Sequence, residues 1–518
     1  MNYIFILCAG CVVSVFTKCD AARILAVLPT PSISHQVVFR PLTQELAKRG
    51  HQVVVITPDP VFTKSQSPAN LTEIDVHDLS YGIWSDFHKT TSGKQDDLFT
   101  QLVTVMDLLT VIVEKQFQTP TVQDVIKNQS FDLLLLEACA RNDLLYAHIF
   151  DVPVILVSSF GAMLDSYDTL GVPTHPILYP MVTRQKIYNL TNWEKITQLY
   201  NHYRFKHLYY AHDEVDNEMI RRILGPEVPT LSELSKKTDM LFLNVHPVWE
   251  GNIPVPPTVI SMWGIHEKPR KDLPNDIKSY LDSSKYGVIY ISFGTNVSPS
   301  MLPKQNIEMF VKVFSQMPYD VLWKWDKDEL PGRSKNIRIS KWLPQSDLLH
   351  HPKVKLFITQ GGLQSTDEAI TAGIPLIGIP LLGDQWYNVE KYLHHKIGLR
   401  LDMETLTEEQ LKKSINTVID DQSYRQNIRK LRDVMKDQQE SPLERAVWWT
   451  EYVLRHGGAK HLQSPAANIS WVQYLELELI TILVLILSLI LIAFVFVCNK
   501  IWKLVRENFV DNLKNKID

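Results

Sequence analysis

Trp342–Gln385, WLPQSDLLHHPKVKLFITQGGLQSTDEAITAGIPLIGIPLLGDQ, alternates apolar runs with glycine turns. A loop carrying Trp342 leads to a short helix and then to an apolar strand, Val354–Thr359. The strand ends in Gln360-Gly361-Gly362, which opens a helix from about Leu363 to Ala372. Ile374–Ile379 is a second apolar strand, and Asp384-Gln385 follow its carboxyl end. A strand that turns through glycines into a helix N-terminus makes an anion seat. The backbone can approach closely, and unpaired N–H groups and the helix dipole favour negative charge. Alone, a diglycine turn is most often only a tight turn.

The same alternation extends to both sides. Gly287–Phe293, Tyr319–Lys324 and Ile337–Ser340 read as strands before this stretch, and helices are expected over Pro303–Gln316 and Thr407–Ile419. Earlier in the chain, Arg23–Leu28 is a strand, followed by a loop through His35, a helix over about Val37–Arg49 and the strand His51–Thr57. That βαβ unit implies a parallel sheet with right-handed crossovers. Phe131–Leu136, Val154–Val157, Met240–Asn244 and Thr258–Trp263 add strands to this half, with Asp143–Ile149 helical and Thr174–Leu224 mixed. A Pro- and charge-rich link, His266–Lys278, separates the halves. Ser441-Pro442 signals a late helix to about Leu454 that could pack back over the first half. The fold class is therefore α/β.

The combination of Trp342, Gln345, the diglycine turn, Glu368 and Asp384-Gln385 resembles the signature of the UDP-glycosyltransferases, the membrane-bound glucuronosyl- and glucosyltransferases of animals. The resemblance implies GT-B architecture, two Rossmann-like domains facing a cleft. It also implies roles: Trp342 stacks on uracil, Gln345 meets the uridine, and Glu368 holds the ribose hydroxyls. Gln360, Gly361, Gly362, Gln364 and Ser365 form the donor seat, and Asp384 and Gln385 bind hydroxyls of the transferred sugar. Ser292, Gly294 and Thr295, an ordinary βα turn when read alone, match the family's second donor loop. Vertebrate members carry histidine at the position of Gln360, whereas insect members often carry glutamine. Glutamine donates a hydrogen bond but adds no charge, so the helix terminus must stabilise more of the leaving group.

Read alone, His35 is a capping or surface histidine. The resemblance makes it the general base, at the strand-to-helix junction where ligand crevices of open α/β sheets lie. Such a base gains from a carboxylate on its other nitrogen. Relatives use an aspartate after the Phe131–Leu136 type of strand; Glu137 stands there, one methylene longer, and Asp143 is the alternative. For either acid the plain reading is a structural salt bridge. The implied reaction is inverting transfer without a metal. Asp326-Lys327-Asp328 resembles a metal-binding DxD motif but sits in a charged turn, and His350-His351 and His394-His395 lack ligand spacing.

With 518 residues and net charge −4, the chain supports several cores and gives no electrostatic case for nucleic acid. Ile4–Phe16 and the small residues after it read as a signal peptide cleaved near Ala21 or Ala22. Leu479–Cys498 is uncharged and, at about 20 residues, long enough to span a bilayer. Lys500, Lys503 and Arg506 follow it, which places the tail in the cytosol and the globular part in the lumen. The ending Lys514–Asp518 resembles a dilysine retrieval signal for the endoplasmic reticulum. Only Cys139 remains for the lumen, so no intrachain lumenal disulfide is expected. Sequons stand at Asn70, Asn128, Asn189, Asn296 and Asn468, of which Asn296 falls in a donor loop and Asn468 near the membrane.

The expected organisation is a signal peptide (1–22), an acceptor-binding domain (23–265), a linker (266–282) and a UDP-sugar domain with return helices (283–460). A juxtamembrane segment (461–478), a membrane helix (479–498) and a cytosolic tail (499–518) complete it. The expected activity is transfer of a hexose from a UDP-sugar, UDP-glucose before UDP-glucuronate, to a hydroxyl of a small lipophilic acceptor. Detoxification or hormone or pigment conjugation would follow. The UDP-sugar is a co-substrate and no cofactor is expected; homo- or hetero-oligomers are open. The alternatives are a non-catalytic membrane-tethered binder of the same fold, and an enzyme building glycoproteins or lipids.

Overall fold

The computed structural model describes residues 21–62, 66–91 and 98–514. The expected signal peptide thus lies outside the described residues except for its last two positions, as do residues 515–518. The chain up to Gln463 forms one compact unit, and Ser464–Asp518 forms another.

The first unit holds two sheets. Strands β1 (Arg23–Val27), β2 (Gln52–Thr57), β3 (Leu71–Asp75), β4 (Leu133–Glu137), β5 (Val154–Ser158), β6 (Thr238–Leu243) and β7 (Val259–Ser261) build one. Strands β8 (Val288–Ser292), β9 (Asp320–Lys324), β10 (Ile337–Ser340), β11 (Val354–Thr359), β12 (Leu376–Gly378) and β13 (Gly398–Arg400) build the other. Their orders are β3-β2-β1-β4-β5-β6-β7 and β10-β9-β8-β11-β12-β13. Every pairing is parallel. Both orders are doubly wound, with the winding reversed between β1 and β4 and again between β8 and β11. Parallel strands covered on both faces must be apolar almost throughout. Leu133–Glu137 and Val288–Ser292 are buried at every position, the polar exceptions standing at their carboxyl ends.

The helix after β1 runs Ile33–Lys48, four residues earlier than the sequence pattern predicts. His35 therefore lies in its first turn and not in a loop. Ser32 is the extended N-cap residue, and the weakly helix-forming Ser-Ile-Ser start hides the boundary. The link after His266 is also shorter than expected, because Asn275–Ser283 is a helix with Ile277 and Leu281 buried.

Helix Pro442–His456 has the expected start, with Ser441 and Glu444 forming a reciprocal capping box and Pro442 in the first turn. It does return to the first sheet. Its Ala446, Val447 and Val453 share one buried cluster with Val38, Phe39, Leu42 and Leu46 of helix Ile33–Lys48. A larger cluster joins Leu134, Trp249 and Trp263 of the first half to Tyr290, Phe357 and Tyr392 of the second.

The second unit contains one long apolar helix, Leu477–Lys514, which outlasts the expected membrane segment at its carboxyl end. Its stretch Leu477–Val510 is long and apolar enough to cross a bilayer, with mean hydropathy 3.3 in its most apolar window.

Val447 is completely buried, whereas its neighbour Trp448 is 47% exposed. Val447→Asp is expected to cost several kcal/mol by burying an unpaired carboxylate. Limited proteolysis of that variant should cut within the first half at temperatures that the parent protein survives. Trp448→Ala should leave the cleavage pattern almost unchanged.

Candidate active site

The two winding reversals bring the expected residues together. β1 and β4 are neighbours, so the helix turn after β1 and the last residue of β4 meet at the same sheet edge. There His35 Nδ1 lies 2.5 Å from Glu137 Oε1. Thr30 N–H donates to the other carboxylate oxygen at 3.1 Å, and the Cys139 thiol donates to Oε1 at 3.1 Å. Burial works to raise the Glu137 carboxyl, but the His35 charge and these hydrogen bonds outweigh it and hold the group below its ordinary value. An Nδ1–H given to a fixed carboxylate leaves Nε2 as the accepting nitrogen.

The extra methylene of Glu137 thus does not prevent contact. Asp143, the alternative, is buried with no hydrogen-bond partner on either oxygen, and burial and the Glu137 charge push its carboxyl well up. It does not touch His35. His35, Glu137 and Cys139 also form a cluster whose ligand atoms lie within 4.8 Å of one another. His35 Nδ1 and Glu137 Oε1, 2.5 Å apart, stand at hydrogen-bond distance. Ligand atoms spread around a zinc ion at about 2.0–2.3 Å stand roughly 3.2 Å or more apart.

The second reversal assembles the expected donor loops. Gly294, after β8, has φ +76°, and a Cβ there would lie 2.3 Å from Gln360 Nε2. Gly361 has φ +92°, and its Cβ would meet Val389 at 2.5 Å. Glycine is required at both places. Gly362 caps helix Leu363–Ala372, and no side chain fills that terminus, so its first N–H groups remain available to an anion. Gln360 is buried, and its Oε1 has no hydrogen-bond partner.

Gln345, Ser365 and Glu368 form one network. The Gln345 amide donates to Ser365 Oγ at 2.9 Å and to Glu368 Oε2 at 2.7 Å, while its carbonyl accepts from Tyr290 O–H at 2.9 Å. Burial, only partly opposed by the Gln345 hydrogen bond, pushes Glu368 up to about 7. Trp342 is 65% exposed and presents an open ring, with Lys324 Nζ 4.9 Å from its centroid. Lys324 also donates to Gly294 O at 2.7 Å. Neither Tyr290 nor Lys324 was expected here from sequence; strand positions near a carboxyl end were the available signal.

Asp384 and Gln385 begin helix Gln385–His394. Asp384 accepts from Asn388 Nδ2 at 2.8 Å. Burial drives its carboxyl up to about 6, against the Asn388 hydrogen bond and the His35 and Lys391 charges. Gln385 is 5% exposed, and its side-chain oxygen accepts the N–H groups of Leu381 and Leu382 at 2.7 and 2.8 Å. That oxygen holds its own loop, leaving the amide nitrogen for a ligand. Gln364 reaches the first half, donating to Ser159 O at 2.9 Å. In the other loop Ser292 is buried and accepts Gly294 N–H at 3.3 Å, while Thr295 is exposed. Asn296 is the residue of that loop that faces inward, accepting from Ser32 Oγ at 3.2 Å.

A cavity of about 290 Å³ lies between these groups, lined by His35, Cys139, Asn296, Gln364, Asp384 and Gln385. Its apolar wall is helix Leu98–Phe117, through Leu98, Leu102, Val105, Met106 and Leu109. That spacing is one helical face, a signal the sequence carried. Of the DxD-like residues, Asp326 accepts from Ser300 N–H and Oγ, and Asp328 pairs with Lys341 in solvent.

Asp384 has a signed pH signature. In the folded protein it is pushed up to about 6, above the ordinary range of an aspartate, so the folded state holds the proton more tightly. That contribution to stability is present at low pH and is lost as pH rises towards about 6. Asp384→Asn should therefore melt higher than the parent at pH 7.5, by about 2–4 °C, with the gain vanishing near pH 4. Thermal unfolding at the two pH values measures this, and an equal gain at both would contradict it.

A profile of the family described as UDP-glucoronosyl and UDP-glucosyl transferase matches residues 23–516. An ecdysteroid UDP-glucosyltransferase of Spodoptera littoralis nuclear polyhedrosis virus is 36% identical over 482 residues, covering 89% of this chain and 93% of that protein. UDP-glucosyltransferase 2 of Dactylopius coccus is 31% identical and covers 89% of each chain. UDP-glucuronosyltransferase 2B14 of Oryctolagus cuniculus is 30% identical and covers 85% of each. Among solved structures, the kitacinnamycin glycosyltransferase superposes with TM-score 0.57 at 16% identity, covering 83% of this chain and 98% of that one. CalG4, the calicheamicin glycosyltransferase, does so with TM-score 0.56 at 15% identity, covering 84% and 99%. These two carry the fold, which is GT-B-like. The chain belongs to the UDP-glucuronosyl and UDP-glucosyltransferase family and is a UDP-sugar glycosyltransferase.

Proposed function

We propose that this glycosyltransferase moves glucose from UDP-glucose to a hydroxyl of a small lipophilic acceptor, with inversion at the anomeric carbon and without a metal. One observation carries the reading. His35, backed by Glu137, and the Asp384–Gln385 pair, from opposite halves, open onto the same largely apolar cavity.

In the proposed step His35 Nε2 takes the proton of the acceptor hydroxyl as its oxygen attacks the anomeric carbon. The bond from that carbon to the diphosphate breaks, and UDP departs with the electron pair. The Gly362 helix terminus receives the diphosphate, with Lys324 supplying the positive charge that Gln360 lacks. Glu137 stabilises the imidazolium, as its buried, charge-favouring surroundings allow. Trp342 stacks on the base, while the Gln345–Ser365–Glu368 network, anchored by Tyr290, presents a carboxylate to the ribose. Asp384 and the Gln385 amide hold sugar hydroxyls.

The donor preference is supported by the relatives named as glucosyltransferases. A glucuronate would call for an uncommitted cation beside the sugar, and Lys391, whose charge reaches Asp384, is already 3.5 Å from Glu250. The apolar C-terminal helix anchors the protein as a single-pass membrane protein of the endoplasmic reticulum, with the catalytic part lumenal. Exposed Asn70, Asn128 and Asn189 suit glycosylation there; Asn296, inside the cavity, does not. Phenols and steroids are the acceptors to try first, an ecdysteroid among them because viral relatives bear that name.

Microsomes carrying the protein should form β-glycosides from labelled UDP-glucose with members of a phenol and steroid panel. The absence of conjugate with UDP-glucose and UDP-glucuronate alike, together with no effect of His35→Ala, would sink the proposal. His35→Ala should abolish transfer while UDP binding persists. Glu137→Gln should lower kcat by about 10²–10⁴-fold, with the KM for donor little changed. Lys324→Met should act the other way, raising the donor KM by roughly tenfold.

A further inference from the structure

The turn after β5 holds an aromatic side chain that the proposed reaction does not use. Phe160 lines the cavity together with His35. Its ring centroid lies 5.7 Å from that of the His35 imidazole, at an interplanar angle of 72°. That is an edge-to-face arrangement, so the imidazole does not stack over the phenyl ring and leaves its cavity side open. Trp84 and Tyr209 line the same cavity but are only 6% and 1% exposed, whereas Phe160 is half-buried.

The turn keeps that ring still. Ser158 Oγ donates to Gly161 O at 2.9 Å and accepts Phe160 N–H at 3.3 Å, so one side chain closes the turn. Ser159 O accepts from Asn244 Nδ2 at 3.3 Å and from Gln364 Nε2, of the other half, at 2.9 Å. Gly161 is packed so closely that a Cβ there would lie 2.8 Å from Val182 Cγ1. Phe160 itself packs against the larger buried cluster.

A hydroxyl placed to give its proton to His35 Nε2 sits within about 3 Å of that nitrogen. The carbon skeleton beside the hydroxyl then comes within reach of the phenyl ring. A fixed, flat wall selects by shape. An aromatic ring comes into close contact and gains the ring–ring attraction, whereas a puckered saturated ring is held off by its axial hydrogens.

We propose that Phe160 determines acceptor specificity by receiving the ring beside the reacting hydroxyl, favouring a planar aromatic ring over a saturated ring of the same skeleton. This rests on the reading of the cavity as the acceptor site.

The test uses the full-length protein with naphthylmethanol and its fully saturated counterpart, decahydronaphthylmethanol. Both present a primary alcohol of nearly the same acidity. Hydrophobicity alone predicts preference for the saturated skeleton, which is the more apolar of the two. Both kcat/KM with UDP-glucose and equilibrium binding by calorimetry are measured. The parent enzyme should favour the aromatic alcohol by about 2- to 10-fold in each. Phe160→Leu should bring that ratio to one or below by losing the aromatic alcohol, with UDP affinity unchanged, and Phe160→Tyr should keep it. If Phe160 only supports the His35 ring, Phe160→Leu lowers kcat for both alcohols equally and keeps the ratio, which overturns the proposal. A parent ratio at or below one also overturns it and leaves the glycosyltransfer reading standing. Where neither alcohol is glycosylated, the binding ratio decides for Phe160; absence of transfer to every acceptor separately overturns the catalytic reading. If Phe160→Leu does not fold, the parent enzyme's ratio decides alone.

Discussion

A parallel sheet whose winding reverses between two neighbouring strands leaves a gap at their carboxyl ends, because the crossover helices on either side lead away from it. This chain contains that reversal twice, at β1/β4 and at β8/β11. The chemistry-bearing side chains follow from the constraint. His35 and Glu137 sit at one gap, and Gly294, Gln360 and Gly362 sit at the other. Neither gap holds both the proposed base and the proposed anion seat, so the proposed reaction needs the two halves to face each other.

The halves are joined by a seam that is buried and polar as well as apolar. Trp263 Nε1 donates to Asp367 at 2.7 Å, and Trp249 Nε1 donates to Asn388 at 3.3 Å. Asn388 in turn donates to Gly361 O and to Asp384. Trp249 of the first half is therefore linked through a single amide to the Gly361 turn and to Asp384. Burial pushes the Asp367 carboxyl well above its ordinary value, and such groups rarely add stability over an apolar replacement. Their geometric effect is plainer: they tie named positions of one half to named positions of the other.

Much of this was legible in the sequence because it is local. Apolar runs of strand length, glycines at forced turns and the Ser441–Glu444 capping box each declare themselves within a few residues. The diglycine turn and the strand leading to it stand where the pattern places them. What could not be read depends on distant contacts. The short edge strands β3 and β13 gain their structure from pairing, not from a strong periodic signal. Asn296 is a consequential residue only because Ser32 lies opposite it. Gln385 looks like a free amide in the sequence, yet its oxygen is committed to its own loop. The dyad was half legible: two acids were candidates for His35, and the three-dimensional path of the chain selects Glu137.

Helix Pro442–His456 has a mechanical consequence. Because it returns to the first sheet, the chain crosses between the halves twice, once near His266–Pro274 and again just before Ser441. A domain pair held by one strand can swivel and twist freely. Held by two, it behaves like a door on two pins, with one easy axis running through both crossings. Any opening of the cavity would be confined to that axis, so Asp384 would leave His35 and return to it along one path.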